Sequence, residues 1–284
     1  MSGPVRPATA RPRQDAPIEP DAVMPPTAVE LDAIERHRVE WAAQLGASVR
    51  ADAELGLIEV RHDQPGTSLN YAAALRWTDD VFEERLAAVT ARMHDQGVWP
   101  SIIVSDGVSQ PADLPDRLHA AGWVPVFGDR IMWTRHPAIV PHLDPGLRVE
   151  AVTPATALES VRLEAEVFGL HPDFIGESAE LLAEVIASGQ ARSLLLRLAR
   201  EPIATARLVP GPAIAGLHGI AVAARHRRRG YGRMITAIAT RAGLATGHKL
   251  VWLSVLETNT AAVELYTSLG FTKSFTWTRW VAPA

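Results

Sequence analysis

The chain has 284 residues, 47% of them hydrophobic, which is enough to bury the core of one large domain or two ordinary ones. Its formal net charge of −4 at pH 7 argues against a dedicated nucleic-acid-binding protein, whose affinity comes mainly from neutralised phosphates. The absence of cysteine excludes disulfides, thiolate metal sites and cysteine nucleophiles.

The sequence also bears on location. No apolar run reaches the ~20 residues of a membrane helix, and residues 1–20 lack the apolar segment of a secretory signal. A chain without cysteine fits a reducing compartment. We therefore expect a cytoplasmic protein that binds neither nucleic acid nor membrane.

Residues 1–26 are rich in Pro, Ala and Arg and lack periodicity, which is typical of a disordered tail. The spacing from Thr27 to Glu30 matches a capping box and predicts a helix to about residue 45. Short strands follow, then a helix at 79–97, a strand at 100–106, a helix at 112–121 and two final strands at 123–136. These elements make residues 27–135 the first predicted domain.

The segment 136–146 carries three prolines and is interpreted as a linker. Residues 147–284 form the second predicted domain: a strand, a helix, a loop at 169–178, a helix and three strands. An arginine-rich loop follows, then a helix from Tyr231, a strand, a helix and strands after Gly270. Both halves end in the same layout when Gly122 is aligned with Gly270, so we hypothesise an internal duplication.

The loop between residues 222 and 233 combines glycines with clustered arginines, just after an apolar run and just before a helix. A helix N-terminus leaves backbone N–H groups without partners and favours negative charge. A strand that enters a glycine-containing turn and then a helix can therefore hold a phosphate. The alternatives are a solvated basic turn and a nucleic-acid patch. The loop matches neither a Walker loop nor a dinucleotide-binding fingerprint.

Val222 followed by Arg227-x-x-Gly230-x-Gly232 resembles the acetyl-CoA pyrophosphate motif of the GNAT N-acetyltransferase superfamily. A second motif resembles N-x-x-A-x-x-x-Y-x-x-x-G-F of the same family and consists of Asn259, Ala262, Tyr266, Gly270 and Phe271. The resemblance covers about residues 147–281, and over residues 27–135 it extends only to layout. It implies an α/β fold with two GNAT-like domains, each a mixed, mostly antiparallel sheet flanked by helices.

The resemblance also implies an acetyl-CoA site. Backbone N–H groups of Ile220 and Val222 would bind the pantetheine arm, and those of residues 228–233 would bind the pyrophosphate. Without the resemblance, the strand side chains are typical of buried core and Asn259 of a helix start. The expected cofactor-binding residues are Ile220, Ala221, Val222, Arg227, Arg228, Arg229, Gly230, Tyr231, Gly232, Arg233 and Asn259.

Two residues are expected to move protons. Tyr266 matches the family tyrosine that protonates the departing CoA thiolate, and the alternative is an aromatic side chain on a buried helix face. Its counterpart in the first half is Leu118, which cannot donate a proton. His218 enters the first motif and is a candidate base for the acceptor amine, or else a structural histidine. Strand alternation puts it on the face of Ile220 and Val222 unless Gly219 forms a bulge.

The loop 169–178 lies where this family builds its acceptor pocket. Its candidate lining residues are His171, Asp173, Phe174 and Glu177, with a solvated loop as the alternative. Trp277 and Trp280 are predicted either to wall that pocket or to pack in the core.

The first half has no R-x-x-G-x-G motif. Acidic residues stand at the corresponding helix start and would repel a pyrophosphate: Asp79, Asp80, Glu83 and Glu84. We therefore expect a degenerate GNAT-like domain that binds no CoA and shapes the acceptor site of the second half.

The sequence as a whole predicts an N-acetyltransferase that uses acetyl-CoA as co-substrate and no metal. Its acceptor would be a small-molecule or peptide amine that attacks the thioester directly in a ternary complex. The chain would be a monomer or a homodimer. The alternative is a non-catalytic acyl-CoA-binding regulatory protein that kept the cofactor loop.

Overall fold

The computed structural model describes residues 24–283 apart from 65, 137, 141, 143 and 144. Within these residues the helices are α1 (Ala28–Glu40), α2 (Phe82–Asp95), α3 (Leu114–Ala120), α4 (Ala157–Phe168), α5 (Ile175–Ala187), α6 (Tyr231–Ala245) and α7 (Thr260–Ser268). The strands are β1 (Ser48–Asp52), β2 (Leu57–Arg61), β3 (Tyr71–Ala73), β4 (Ser101–Ser105), β5 (Val124–Thr134), β6 (Leu147–Ala151), β7 (Arg192–Leu198), β8 (Glu201–Pro210), β9 (Ile214–Val222), β10 (Leu250–Leu256) and β11 (Thr272–Val281). Most of the predicted tail, residues 1–23, lies outside the described part of the chain.

All eleven strands belong to one sheet in the order β1-β2-β3-β4-β11-β5-β10-β9-β8-β7-β6. Most neighbours are antiparallel, whereas β3–β4 and β9–β10 are parallel. This is the mixed, mostly antiparallel α/β architecture that the sequence predicts, but the two expected sheets are joined edge to edge.

The two halves exchange their final strands. Strand β11, at the end of the chain, pairs with β4 of the first half, and β5 of the first half pairs with β10 of the second. The two exchanged strands also pair with each other, from Thr272 opposite Trp133 to Val281 opposite Val124. The prediction of two short strands at the end of each half was wrong, because β5 and β11 each run unbroken across the junction.

The helices form two layers around this sheet. Helix α1 packs on one face, over Ile131 and Trp133 of β5 and Trp252 of β10. Helices α4 and α5 cover the same face at β7 and β9. The opposite face is covered by α2 and α3 in the first half and by α6 and α7 in the second. Helix α1 thus belongs to the first half in sequence but also covers strands of the second.

The capping box predicted for α1 is present. The Thr27 hydroxyl accepts a hydrogen bond from the backbone N–H of Glu30, and the Glu30 carboxylate accepts one from the Thr27 N–H at 2.9 Å. The same carboxylate pairs with Arg135 at 2.8 Å, and the Arg135 guanidinium lies over the Trp133 ring. One glutamate therefore fixes the start of α1 and ties it to the end of β5.

In the described part of the chain, no helix combines the length and the apolar character that crossing a bilayer requires.

The division of the chain at the linker 136–146 stays a prediction, and residues 137, 141, 143 and 144 of that segment are not described.

We expect the two halves to stay together after the linker is cut. If a protease site is inserted at residues 138–142 and cleaved, the fragments should co-elute at the size of the intact chain, because each carries a strand of the other's sheet. Size-exclusion chromatography before and after cleavage measures this. Two separate folded fragments would contradict the exchange.

We expect Glu30→Gln to destabilise the protein by about 1–3 kcal/mol at pH 7. The Arg135 hydrogen bond holds the pKa of Glu30 at about 2, below its usual 4.5. A lowered folded-state pKa contributes stability above pH 4.5 that is lost as the pH falls toward 2. Urea unfolding at pH 7 and pH 3 should therefore show the larger deficit at pH 7. Glu40→Gln, at the exposed end of the same helix, is the control, and an equal deficit at both pH values would refute the assignment.

Candidate functional site

A notch opens in the sheet where β9 and β10 part. The two parallel strands pair from Ile214 opposite Leu250 to Leu217 opposite Leu253 and no further, although both strands continue. The separated stretch of β9 is the one that carries Ile220 and Val222, the residues expected to bind an extended arm through their backbone. Their binding role stays a prediction, but the structure places them at the opening.

A bulge in β9 begins the notch. Arg207 lies opposite His218 and Thr205 lies opposite Ala221, so β9 has one residue more than β8 over this stretch. Gly219 has φ +57°, a left-handed conformation that side chains rarely adopt. The unbulged alternation that grouped His218 with Ile220 and Val222 was therefore wrong. The bulge puts His218 and Ala221 on the face of α4, while Ile220 and Val222 pack toward α6 and α7.

Tyr266 lies in α7 on the α6 side of the sheet. It belongs to the buried cluster that contains Leu217 and Val255, against which Ile220 and Val222 also pack. Its ring centroid is 6.1 Å from that of Phe271. Burial raises the pKa of its phenol to about 12, so the hydroxyl keeps its proton across the neutral range. The structure thus brings a protonated phenol into the cluster that lines the notch.

The arginine loop leads from the notch to the start of α6. After Val222 the chain makes a 3-10 turn, Ala224–His226, and Gly230 caps α6 in a left-handed conformation with φ +83°. No side chain caps this helix and its first turn contains no acidic residue. Within the described residues, neither Arg228 nor Arg229 has an ion pair, and both are exposed. The geometry suits an anion.

Several contacts hold the loop in place. Glu201 of β8 pairs with Arg225 and accepts a hydrogen bond from His226 at 2.9 Å in the appropriate tautomer. The Glu166 carboxylate accepts from the backbone N–H of Ala224 at 2.8 Å. Arg233 donates to the carbonyl of Ser268 at 3.3 Å, which joins α6 to the end of α7. Side chains and backbone of β8, α4 and α7 therefore fix the conformation of the arginine loop.

Asn259 caps α7. Its side-chain oxygen accepts a hydrogen bond from the backbone N–H of Ala262 at 3.2 Å, which is the structural alternative considered for this residue. Its contact with the cofactor stays a prediction.

His218 lies on the α4 face, beside the notch rather than open to it. Its ring stacks on Trp41 at 4.1 Å between centroids and meets the edge of Trp252 at 5.3 Å. Burial first, and then the nearby cations Arg38 and Arg207 and the ring of His37, hold its pKa well below the usual 6.5. The imidazole is therefore neutral at physiological pH and enclosed by aromatic rings. Its role as a base stays a prediction.

Glu164 of α4 was not predicted from the sequence, although it lies directly against the bulge. A Cβ at position 219 would be 2.9 Å from its carboxyl carbon. Arg207 of β8 donates to the carboxylate at 2.8 Å. Burial raises the pKa of Glu164, and Arg207 and Ser160 oppose that shift. The side chain stays 18% exposed.

The corresponding opening in the first half is filled by the chain itself. Strands β3 and β4 pair only at Ala72 and Ile102, and Ala74 has φ +54° at the position that matches Gly219. Gln110 then enters the gap: its N–H donates to the carbonyl of Leu75 at 3.0 Å, and its carbonyl accepts from the N–H of Trp77 at 3.3 Å. The backbone groups that face the notch are satisfied by a peptide segment.

The start of α2 is acidic, as the sequence predicts. Asp79 and Asp80 lie in the short 3-10 turn before the helix, and Glu83 and Glu84 lie in its first turn. Leu118, in the place of Tyr266, is fully buried in α3. That the first half binds no CoA stays a prediction.

Part of the predicted acceptor loop is helical, because a 3-10 turn at Pro172–Phe174 leads into α5 at Ile175. The His171 ring lies 6.1 Å from that of Phe174. Trp277 and Trp280 are buried in β11 and pack with the first half, which bears out the packing alternative.

Comparison with known proteins agrees with this geometry. A family model described as "Acetyltransferase (GNAT) family" matches residues 162–271. No curated protein sequence matches the chain significantly.

Among solved structures, a GCN5-related N-acetyltransferase from Kribbella flavida has a TM-score of 0.70 at 18% identity, covering 89% of this chain and 96% of its own. A tandem GNAT protein from the clavulanic acid biosynthesis pathway has a TM-score of 0.63 at 15% identity and covers 84% and 80%. A GCN5-related N-acetyltransferase from Sphaerobacter thermophilus has a TM-score of 0.60 at 16% identity and covers 92% and 96%.

These neighbours share the fold over most of the chain, and the family model coincides with the half that has the open notch and the arginine loop. Residues 162–271 thus match the model of the GNAT acetyltransferase family, and most of the chain shares the fold of GNAT proteins of known structure, one of them a tandem GNAT protein.

Proposed function

We propose that the chain is an N-acetyltransferase that transfers the acetyl group of acetyl-CoA to an amine at the second-half notch. The observation that carries this proposal is the contrast between the two openings. One is filled by Gln110 and precedes an acidic helix start, whereas the other is open and precedes an uncapped, arginine-rich one.

The second-half site fits the parts of acetyl-CoA. The start of α6 offers backbone N–H groups and the positive end of the helix dipole to a pyrophosphate, with the arginine side chains of residues 227–229 beside it. Bound acetyl-CoA supplies the activated acyl group. The separated edge of β9 offers backbone N–H and C=O groups to the amides of pantetheine. In the first half, the backbone of Gln110 makes hydrogen bonds of this kind with the residues that follow β3, the strand that corresponds to β9.

Tyr266 is the proposed proton donor to the sulfur. Its raised pKa keeps the phenol protonated, and it lies beside Ile220 and Val222 in the same buried cluster. Because Tyr266 is buried, its phenol can give a proton to the departing sulfur where solvent has little access. A sensor that only binds acyl-CoA has no need of such a group, and this argues against the regulatory alternative.

We also propose that the first half serves the second without binding cofactor. It supplies β5 to the sheet next to β10 and Trp41 to the ring stack on His218. The acceptor is proposed to be a small-molecule or peptide amine that attacks the thioester directly.

We expect Arg229→Glu to weaken acetyl-CoA binding at least about tenfold, because it places a carboxylate at the start of α6 as in the first half. Isothermal titration calorimetry at low salt measures the affinity. Arg241→Glu changes the same charge at an exposed position near the other end of the helix and is the matched control. Equal losses in both variants would contradict a specific phosphate site.

We expect Tyr266→Phe to lower the turnover number about 10²-fold and to leave the affinity for acetyl-CoA nearly unchanged. The measurement is amine-dependent release of CoA thiol, read with a thiol-reactive dye. The protein contributes no thiol background because it has no cysteine. Undiminished turnover in the variant would remove Tyr266 from the mechanism.

A further inference from the structure

The α4 face of the notch holds a carboxylate for which the proposed function has so far given no role. Glu164 lies against Gly219, the one position of β9 where the backbone turns left-handed and offers no side chain. Any Cβ there would displace the carboxyl group, whose carbon would be 2.9 Å away. The carboxylate therefore reaches the backbone of the bulge at the point where β9 leaves β10.

The direction of the notch decides what can meet this carboxylate. The phosphate site lies at the start of α6, on the same side of the sheet as Tyr266. An arm that starts there and passes between β9 and β10 delivers its acyl end toward the opposite face. That face is the α4 side, where Glu164 lies. Tyr266 then acts on the leaving sulfur from one side of the sheet, and Glu164 acts on the attacking nucleophile from the other.

The surroundings of Glu164 suit a cation. Arg207 holds one carboxylate oxygen at 2.8 Å, and 18% of the glutamate side chain remains exposed. Phe168 lies four residues after Glu164, one helical turn further along α4, and its side chain is 60% exposed. An exposed aromatic ring one turn from a carboxylate is a surface on which an organic ammonium group can bind.

The first half has a glutamate at the corresponding helix position, but that glutamate is closed off from solvent. Glu35 lies seven residues after the first residue of α1, as Glu164 does in α4, and Glu35 is fully buried. It pairs with Arg76 and accepts from Ser109 at 3.4 Å, next to the Gln110 segment that fills the notch. Only the half with the open notch leaves its glutamate partly exposed.

We propose that Glu164 binds the ammonium group of a cationic amine acceptor and takes its proton, so that the free amine can attack the thioester. The inference rests on the proposed function and adds to it a named base and a class of acceptor. The ammonium proton passes to the carboxylate and then to solvent. As the C–N bond forms and the C–S bond breaks, the nitrogen loses its second proton to the regenerated Glu164 carboxylate, and the sulfur receives a proton from Tyr266. Glu164 then releases its proton to solvent and Tyr266 regains one from solvent, so the net products are the amide, the CoA thiol and one proton.

Amines that differ in basicity test this role, and ethylamine and 2,2,2-trifluoroethylamine are also matched in shape. Ethylamine and benzylamine are protonated at neutral pH, whereas 2,2,2-trifluoroethylamine and hydroxylamine are largely free bases. We expect Glu164→Gln to lower turnover of the basic amines about 10²-fold or more and that of the weakly basic amines less than about tenfold. Glu164→Asp, which keeps a carboxylate, should restore part of the loss.

The controls separate this role from a structural one. Acetyl-CoA affinity and the thermal unfolding midpoint are measured for each variant, and Glu180→Gln, exposed on α5, controls for the lost charge. Equal loss with both classes of amine would overturn the proposal, as would a selective loss in His218→Gln and not in Glu164→Gln. A wild-type protein that binds no acetyl-CoA, or that binds it but acetylates no amine, would overturn the proposed function itself. A wild-type protein that acetylates amines while Glu164→Gln loses both classes of amine equally would overturn only the role of Glu164.

Discussion

Two parallel strands that part inside a protein expose backbone N–H and C=O groups, and these must find another partner. This constraint occurs twice in the chain, at β3–β4 and at β9–β10, and it is met in two ways. In the first half the backbone of Gln110 inserts between the strands and bonds Leu75 and Trp77. In the second half no described segment enters, and the groups face an opening next to an uncapped helix start. The same geometry thus gives a closed joint in one half and an open notch, the proposed ligand site, in the other.

Exchange of the final strands makes the two halves depend on each other. Because β5 completes the sheet beside β10 and β11 completes the sheet beside β4, the wall of the open notch is built partly from the closed half. The 3-10 turn that follows α1 extends this dependence, since it places Trp41 of the first half onto His218 of the second. A half without a cofactor loop is therefore part of the site.

Local features of this structure could be predicted from the sequence, and long-range ones could not. The capping box at Thr27, the glycine before α6 and the acidic start of α2 follow from a few neighbouring residues. The strand exchange does not, because β5 and β11 have the same pattern whichever sheet they join. The pairing of Trp41 with His218 joins residues far apart in the chain, so no local signal reports it.

The proposed site residues likewise include one that local sequence predicts and one that it does not. Tyr266 belongs to a recognisable motif, whereas Glu164 sits in an ordinary amphipathic helix and gains its place only from the bulge at Gly219. That glycine was the available signal, since a glycine inside a strand pattern indicates a bulge or a close approach. The glycine does not indicate, however, that Glu164 is the residue that approaches it.

Of the two related notches, one is proposed to bind the cofactor, whereas the other is filled by the chain. A crystal structure of the protein with coenzyme A tests this contrast most directly. We expect one molecule per chain, with pantetheine bonded to the backbone of Ile220 and Val222, the pyrophosphate at the start of α6, and Gln110 still between β3 and β4. Coenzyme A in the first-half notch, or bound away from β9, would contradict it.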